Sequence, residues 1–455
     1  MKLTDVEKMY PFDGIHFLHN LPPVHLPHEE VGIIRRKAHN IYRKAVHAGK
    51  WQNFAAGIGT GAAYASLHGL HWHPRWITII ELVLFFTNVA VFSVNLILLT
   101  INTLSHLRKD VLQNHLIDPS TPLFAPLIVL DYGTICIGVI LYAHELGASR
   151  MNSFQGLFWS YMALTVIVCT SMTFVWFGWG KSFHLRSFAM TGAFLVFPLM
   201  LVGTIAFNTL AIIEPMDSSA FAIWALGYVF QGLGMAITFI FITVHFYRAI
   251  RYGFPRGAAA NSTFVSVGPP GFTALAILQL GSHGRQILPI HTPLSQEAAD
   301  IIYYSSIPMA LCLVGVSLYC WMFAIIPWVF TSTKHIMYNP AGAWPLTFPC
   351  TGFTLALGAL GNIFQSHAFW ILQAFFTGYI CLAFVVLLPS WLYRIVVPPD
   401  PGVLAARGKY FEEAYDHLNF WSSARLAEEA ERDYFTTLAS KHHEDENPVG
   451  PSAFM

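Results

Sequence analysis

The chain has 455 residues, 55% of them hydrophobic and 11% charged, with 25 Lys and Arg balancing 25 Asp and Glu. Roughly a quarter of the residues of soluble domains are charged, so this composition excludes an ordinary soluble globule. A formal charge of zero leaves no electrostatic footprint for nucleic acid, and an all-α integral membrane protein with two polar tails is the class that remains.

Residues 1–50 are polar and lack the apolar core of a secretory signal. His16, His19, His25 and His28 stand among prolines, which suits irregular solvated chain better than a metal strip. From 31 to 48 a basic, weakly amphipathic helix is predicted, either on the inner leaflet through Arg35, Arg36 and Lys37 or packed on the bundle. Ten apolar stretches follow, at about 51–70, 77–101, 123–144, 155–179, 190–212, 219–247, 264–281, 302–330, 345–364 and 367–393. A helix crosses the hydrocarbon with roughly 20 residues, so 51–394 reads as one ten-helix domain. The six cysteines fall in or beside these spans and read as small buried hydrophobes rather than disulfides. After Pro398, Pro399 and Pro401, residues 395–455 form a second cytosolic tail, with a charged helix over 409–441 and no assigned chemistry.

Lys and Arg stay on the cytoplasmic side of a membrane. The even-numbered connections carry Arg108, Lys109, Lys181, Arg186, Arg248, Arg251, Arg256 and Lys334, whereas the odd-numbered ones carry Arg75, Arg150 and Arg285. That asymmetry predicts both termini in the cytosol. It also places the Asn261-Ser262-Thr263 sequon in the cytosol, unglycosylated.

Glycine and proline concentrate in the odd spans: Gly57 in the first, Gly133 in the third, Pro198 and Gly203 in the fifth, Pro269 and Pro270 in the seventh, Pro349 and Gly352 in the ninth. A mid-span proline removes a backbone donor and clashes with the preceding turn, so these spans should kink. Backbone groups freed at membrane depth are tolerated beside a water-filled cavity, and an inner ring of five broken helices around a pathway follows. Close packing by small residues is an equal alternative. No Lys or Arg lies mid-span, so an anion there would meet hydroxyls, backbone amides and helix N-termini. Thr60, Thr134, Thr204, Ser266, Thr273 and Thr351 are the candidate contacts, with Thr354 beside them. Each such hydroxyl is more often bonded to its own helix backbone.

Four strings, FPLMLVGTIAFNTLAI (197–212), GYVFQGLGMAITF (227–239), FVSVGPPGFTALAI (264–277) and WPLTFPCTGFTLAL (344–357), resemble the tellurite-resistance/dicarboxylate transporter family, most nearly its fungal malic acid transport proteins. The likeness covers roughly 50–394. It implies ten transmembrane helices as five hairpins around a central pore, lined by the odd helices, with one pore in each protomer of a homotrimer. In the family a phenylalanine on the ninth helix plugs the pore, and the matching residue here is Phe348, followed by Pro349. The stretch Ala343-Trp344-Pro345-Leu346 departs from the paired aromatics usual before that phenylalanine, so the entrance to the ninth helix is expected to differ.

Asp131 is a carboxylate in the third span, where an uncharged residue suits an anion pathway. Intramembrane acids mark proton relays, which makes Asp131 a candidate for proton coupling; a structural bond to a neighbouring helix is the alternative. A haem or metal oxidoreductase is the rival from another class, because the chain has 21 histidines. Only His144, His245 and His367 lie near the membrane, each close to a span end, while His68, His71 and His73 cluster beside an outer loop, where water-exposed histidines are commoner than a metal site. The expectation is therefore a plasma-membrane carrier or channel, not an enzyme, for malate and related C4 dicarboxylates, with sulfite or another small anion as runner-up. No cofactor or metal is called for; the bilayer and a malate-like anion are the partners.

Overall fold

The structure is a computed structural model describing residues 49–105, 123–143, 152–178, 185, 188–255, 258–329 and 340–396. Residues 1–48 and 397–455, which hold the 31–48 helix and nearly all of both tails, lie outside the described residues, as do His144 and the basic residues Arg108, Lys109, Arg150, Lys181, Arg186, Arg256 and Lys334. Among the described residues there is no strand, and ten long α-helices follow one another: α1 (Phe54–His68), α2 (Arg75–Ser105), α3 (Pro126–Leu141), α4 (Asn152–Gly178), α5 (Phe197–Leu210), α6 (Ala220–Tyr252), α7 (Gly268–His291), α8 (Gln296–Pro327), α9 (Phe348–Phe364) and α10 (His367–Val396).

Odd and even helices differ in length and in burial. The even helices run 27 to 33 residues, and only 17% to 33% of their apolar windows is buried. Large apolar side chains such as Phe86, Phe174, Ile240, Met309 and Val385 stand exposed on them, a surface that lipid solvates and water does not. The odd helices are shorter, 14 residues in α5 and 17 in α9, and the spans containing α7 and α9 are 89% and 78% buried. Seven helical segments are long and apolar enough to cross a membrane, with α3 and α5 among the shorter apolar helices.

The packing explains this division. α1 packs on α3, α3 on α5, α5 on α7, α7 on α9 and α9 back on α1, closing an inner ring of five. Each even helix lies outside, against its preceding odd helix and the next one round the ring.

The prolines do not act as the sequence suggested. Pro198, Pro269 and Pro349 occupy the first positions of α5, α7 and α9, where a missing N–H costs nothing, and Pro270 follows Pro269. The break lies ahead of them, in 3-10 segments at Met190–Leu195, Ser262–Val267 and Pro340–Leu346. The α-helical part of α5 spans about 21 Å, and its six-residue 3-10 segment brings the reach to about 33 Å, close to the ~30 Å hydrocarbon. Gly57 and Gly203 mark no kink either. Gly57 lies inside an unbroken α1 with the Asp131 carboxyl over it, and Gly203 faces Gln231 and the Gly227 carbonyl of α6. For these two, close packing is the reading the coordinates support.

Two further expectations change. α7 continues ten residues past the expected end, so Arg285 stands on the helix, bonded by Nε to Asp300 Oδ1 of α8 at 2.7 Å. The Asn261 sequon, expected to carry no sugar, is buried, with Asn261 2% exposed. Cys312 is exposed on α8, although Cys136, Cys169, Cys320 and Cys350 are buried as expected, and all six cysteines are free.

The even helices also carry polar seams. Glu81, Asn88, Asn95 and Asn102 recur every seventh residue on α2 and are all buried, because seven residues is close to two turns and returns to the same face. Asn95 Nδ2 donates to Asn53 O at 3.0 Å and Asn102 to Gly49 O, so the seam fastens α2 along the chain that leads into α1.

Candidate functional site

A cavity of about 440 Å³ occupies the axis of the ring, walled entirely by the five odd helices and the residues just after α1. Its wall on α9 runs from Phe348, at the helix start, to Asn362 near the other end. At 1.5 Å per residue that is a depth of about 21 Å. The mouth lies where α1 ends, at His68, Gly69 and His71, level with Leu141, Asn208 and Gln279.

The opposite end is closed by aromatic rings. Phe348 and Phe272 face each other with centroids 5.0 Å apart, tilted by 33°, and both are buried. A tight crossing of α7 and α9 brings them together. A Cβ on Gly352 would lie 2.6 Å from the Phe272 backbone nitrogen, and one on Gly271 would lie 2.5 Å from that of Phe353, so each helix offers a glycine to the other's backbone. The segment before α9 is the 3-10 turn Pro340–Leu346, with Trp344 buried over Gly59 of α1. The Ala343–Leu346 stretch thus enters α9 through a 3-10 turn, as Met190–Leu195 and Ser262–Val267 enter α5 and α7.

The six candidate hydroxyls divide evenly. Thr134, Thr204 and Thr351 line the cavity. Thr60 donates to Ala56 O at 2.8 Å and Ser266 to Thr263 O at 2.7 Å, both spent on nearby backbone. Thr273 donates to Pro269 O at 2.7 Å and accepts from Gln231 Nε2 of α6 at 2.8 Å. Thr354 likewise donates to Cys350 O. Of the three that line the cavity, Thr204 Oγ1 and Thr351 Oγ1 have no partner within the protein. Among the described residues no Lys or Arg lines the cavity; its titratable side chains are Tyr64, His68 and His71.

Asp131 is not part of that wall. It is fully buried behind it, against Gly57 of α1 and Asn88 of α2. Asn88 fits with its nitrogen donating to Gly57 O (2.8 Å) and Asp131 Oδ1 (3.1 Å), and its oxygen accepting from Thr134 Oγ1 (2.8 Å). Asp131 Oδ2 has no hydrogen-bond partner. One side chain, Thr134, therefore separates the carboxylate from the cavity. Asn88 was missed from sequence, and its spacing of seven from Glu81 and Asn95 was the available signal.

Two concentric rings of helices, apolar outside and enclosing a blind polar-dotted cavity, define a membrane protein of the transporter or channel class. The chain belongs to the voltage-dependent anion channel (SLAC1) family, which it matches over residues 49–392. Similar proteins include one named sulfite efflux pump SSU1 from Arthroderma benhamiae, 26% identical over 347 residues, covering 75% of this chain and 89% of the relative. A putative malic acid transport protein of Schizosaccharomyces pombe is 22% identical over 351 residues, covering 76% and 80%. A malic acid transport protein of the same yeast is 22% identical over 282 residues, covering 62% and 63%. The family match takes in α1 to α9 and most of α10 and carries the family-level expectation drawn from the four strings.

Proposed function

We propose that this protein moves small carboxylate anions of the C4 dicarboxylate kind, malate among them, along the axis of the inner ring and past a gate at Phe348. The supporting observation is the cavity itself: it is closed at one end by Phe348 and Phe272, has no Lys or Arg among its described lining residues, and is walled in part by Thr204 and Thr351, whose buried hydroxyls have no partner within the protein. Neutral donors bind an anion weakly enough to release it, which suits throughput. The N-termini of α7 and α9 lie at the closed end, adding partial positive charge where no side chain supplies it. On this reading all ten helices cross the plasma membrane, both termini are cytosolic, and protomers assemble as trimers.

The test is uptake of labelled malate into proteoliposomes. Thr204→Val and Thr351→Val are each expected to raise KM about tenfold, the loss of a hydrogen bond to a charged group, with thermal stability unchanged because neither hydroxyl bonds within the protein. Thr273→Val, which breaks the link to Gln231, should instead lower stability. Wild-type protein that moves no malate would end the substrate assignment. Sulfite is the second reading, favoured by the higher identity to the sulfite efflux pump, and the same vesicles loaded with sulfite decide between them.

Proton coupling through Asp131 belongs to this proposal. The carboxyl is one hydroxyl away from the cavity, and Asp131 Oδ2 is unpartnered. Asp131→Asn keeps the shape and removes the exchangeable proton. It is expected to abolish the part of the flux driven by an imposed pH gradient and to leave downhill flux; an unchanged response to the gradient would remove Asp131 from the mechanism.

A further inference from the structure

At the open mouth of the cavity the α1–α2 hairpin gathers three metal-ligating side chains. His68 ends α1, His73 lies in the connection, and Glu81 is in the second turn of α2. Glu81 is completely buried, yet each of its oxygens meets a different imidazole: Oε1 lies 2.7 Å from His73 Nε2 and Oε2 3.2 Å from His68 Nδ1. Tyr142 of the α3 end donates to Oε2 as well, at 3.2 Å. His71, the third histidine of the sequence cluster, is elsewhere, stacked on Trp370 with centroids 3.7 Å apart.

We propose that His68, His73 and Glu81 bind one divalent metal ion of the zinc class at the mouth of the cavity. Their ligand atoms all lie within 4.8 Å of one another, and tetrahedral zinc with bonds of 2.0–2.2 Å needs separations of about 3.4 Å. Small rotations of two half-exposed histidine rings close that gap, while the buried carboxylate stays fixed. Two imidazoles and one carboxylate suit zinc and its neighbours over magnesium or calcium, which prefer more oxygen ligands. The Tyr142 hydroxyl orients the carboxylate from behind, as outer partners of metal ligands do. Three protein ligands leave a fourth position open. Because His68 is itself part of the cavity wall, that position is available to water or to the carboxylate of an arriving anion. With neutral imidazoles, Zn²⁺ and one carboxylate sum to a single positive charge, at the mouth of a cavity whose described wall carries no Lys or Arg.

The experiment is zinc titration by calorimetry of full-length protein in lipid nanodiscs, chelator-stripped and free of any purification tag. Tetrahedral Co²⁺ absorption serves as a second readout. Wild type is expected to hold zinc tightly enough to retain it at about 100 μM total metal. His73→Ala and Glu81→Gln should each lose one site or weaken it at least tenfold, and His71→Ala should leave it unchanged. Should Glu81→Gln fail to fold, the part-exposed His73 carries the test alone. No binding by wild type, or the same stoichiometry and affinity in the His73→Ala protein, overturns the site. Neither readout depends on transport, so failure here is separate from failure of the substrate assignment.

Discussion

Replacing Phe348 with alanine is expected to raise anion flux through reconstituted protein at least tenfold. In the structure this ring is part of the cavity's closed end: it is buried, opposes Phe272 at 5.0 Å, and stands on the first residue of α9, lining the cavity. An apolar constriction of this kind stops ions by excluding the water they travel with. Removing one ring lowers that barrier, and a tenfold gain in rate corresponds to about 1.4 kcal/mol. Phe272 remains in the single variant, so the double replacement of Phe348 and Phe272 should conduct more than either alone. Fluorescent anion efflux from proteoliposomes, compared at equal protein density, measures both. Flux unchanged in Phe348→Ala and increased only in Phe272→Ala would move the gate to α7.

Alternation between lipid-facing and enclosed helices was legible in the chain, because it is written in composition: glycine and proline crowd the middle of the odd spans, whereas most even spans are longer and keep theirs nearer the ends. What the prolines do was not legible. A proline in the middle of an apolar stretch looks like a kink, but Pro198, Pro269 and Pro349 start α-helices whose spans are completed by 3-10 turns, and hydropathy does not distinguish the two helix types. Hydroxyls were half legible. Residue type and span narrowed the choice to six, but whether Thr204 or Thr60 points at the axis depends on helix rotation, which a fully buried helix does not record in its pattern. Glu81 is not legible as a partner of the loop histidines, because it lies a turn into the next span, hidden by the apolar residues around it. Asp131 was recognised as unusual, and its position behind Thr134 rather than on the axis required coordinates.

The same chemical change, glycine to alanine, should have opposite effects at two kinds of site. At Gly352 a Cβ would stand 2.6 Å from the Phe272 nitrogen and 2.7 Å from its Cα, and at Gly271 it would stand 2.5 Å from the Phe353 nitrogen and 2.9 Å from its Cα. These are backbone atoms in two enclosed spans, so they cannot swing away as a side-chain tip would; α7 and α9 must separate. Overpacking of this sort costs about 1–3 kcal/mol and occasionally more, and both helices pack on others that resist the shift. Gly352→Ala and Gly271→Ala are expected to lower the unfolding temperature in detergent by several degrees or more, and Gly352→Val to prevent recovery of monodisperse protein. Gly315 on α8 and Gly378 on α10 have nothing within 4 Å of the same added atom. There alanine should be neutral or stabilising by up to about 1 kcal/mol, the difference in helix propensity. The crossing also sets the spacing of Phe272 and Phe348, so any Gly271→Ala protein that survives should leak anions before it unfolds. A Gly352→Ala protein as stable as the Gly378→Ala protein, and as tightly closed as wild type, would mean that α7 and α9 do not cross this closely.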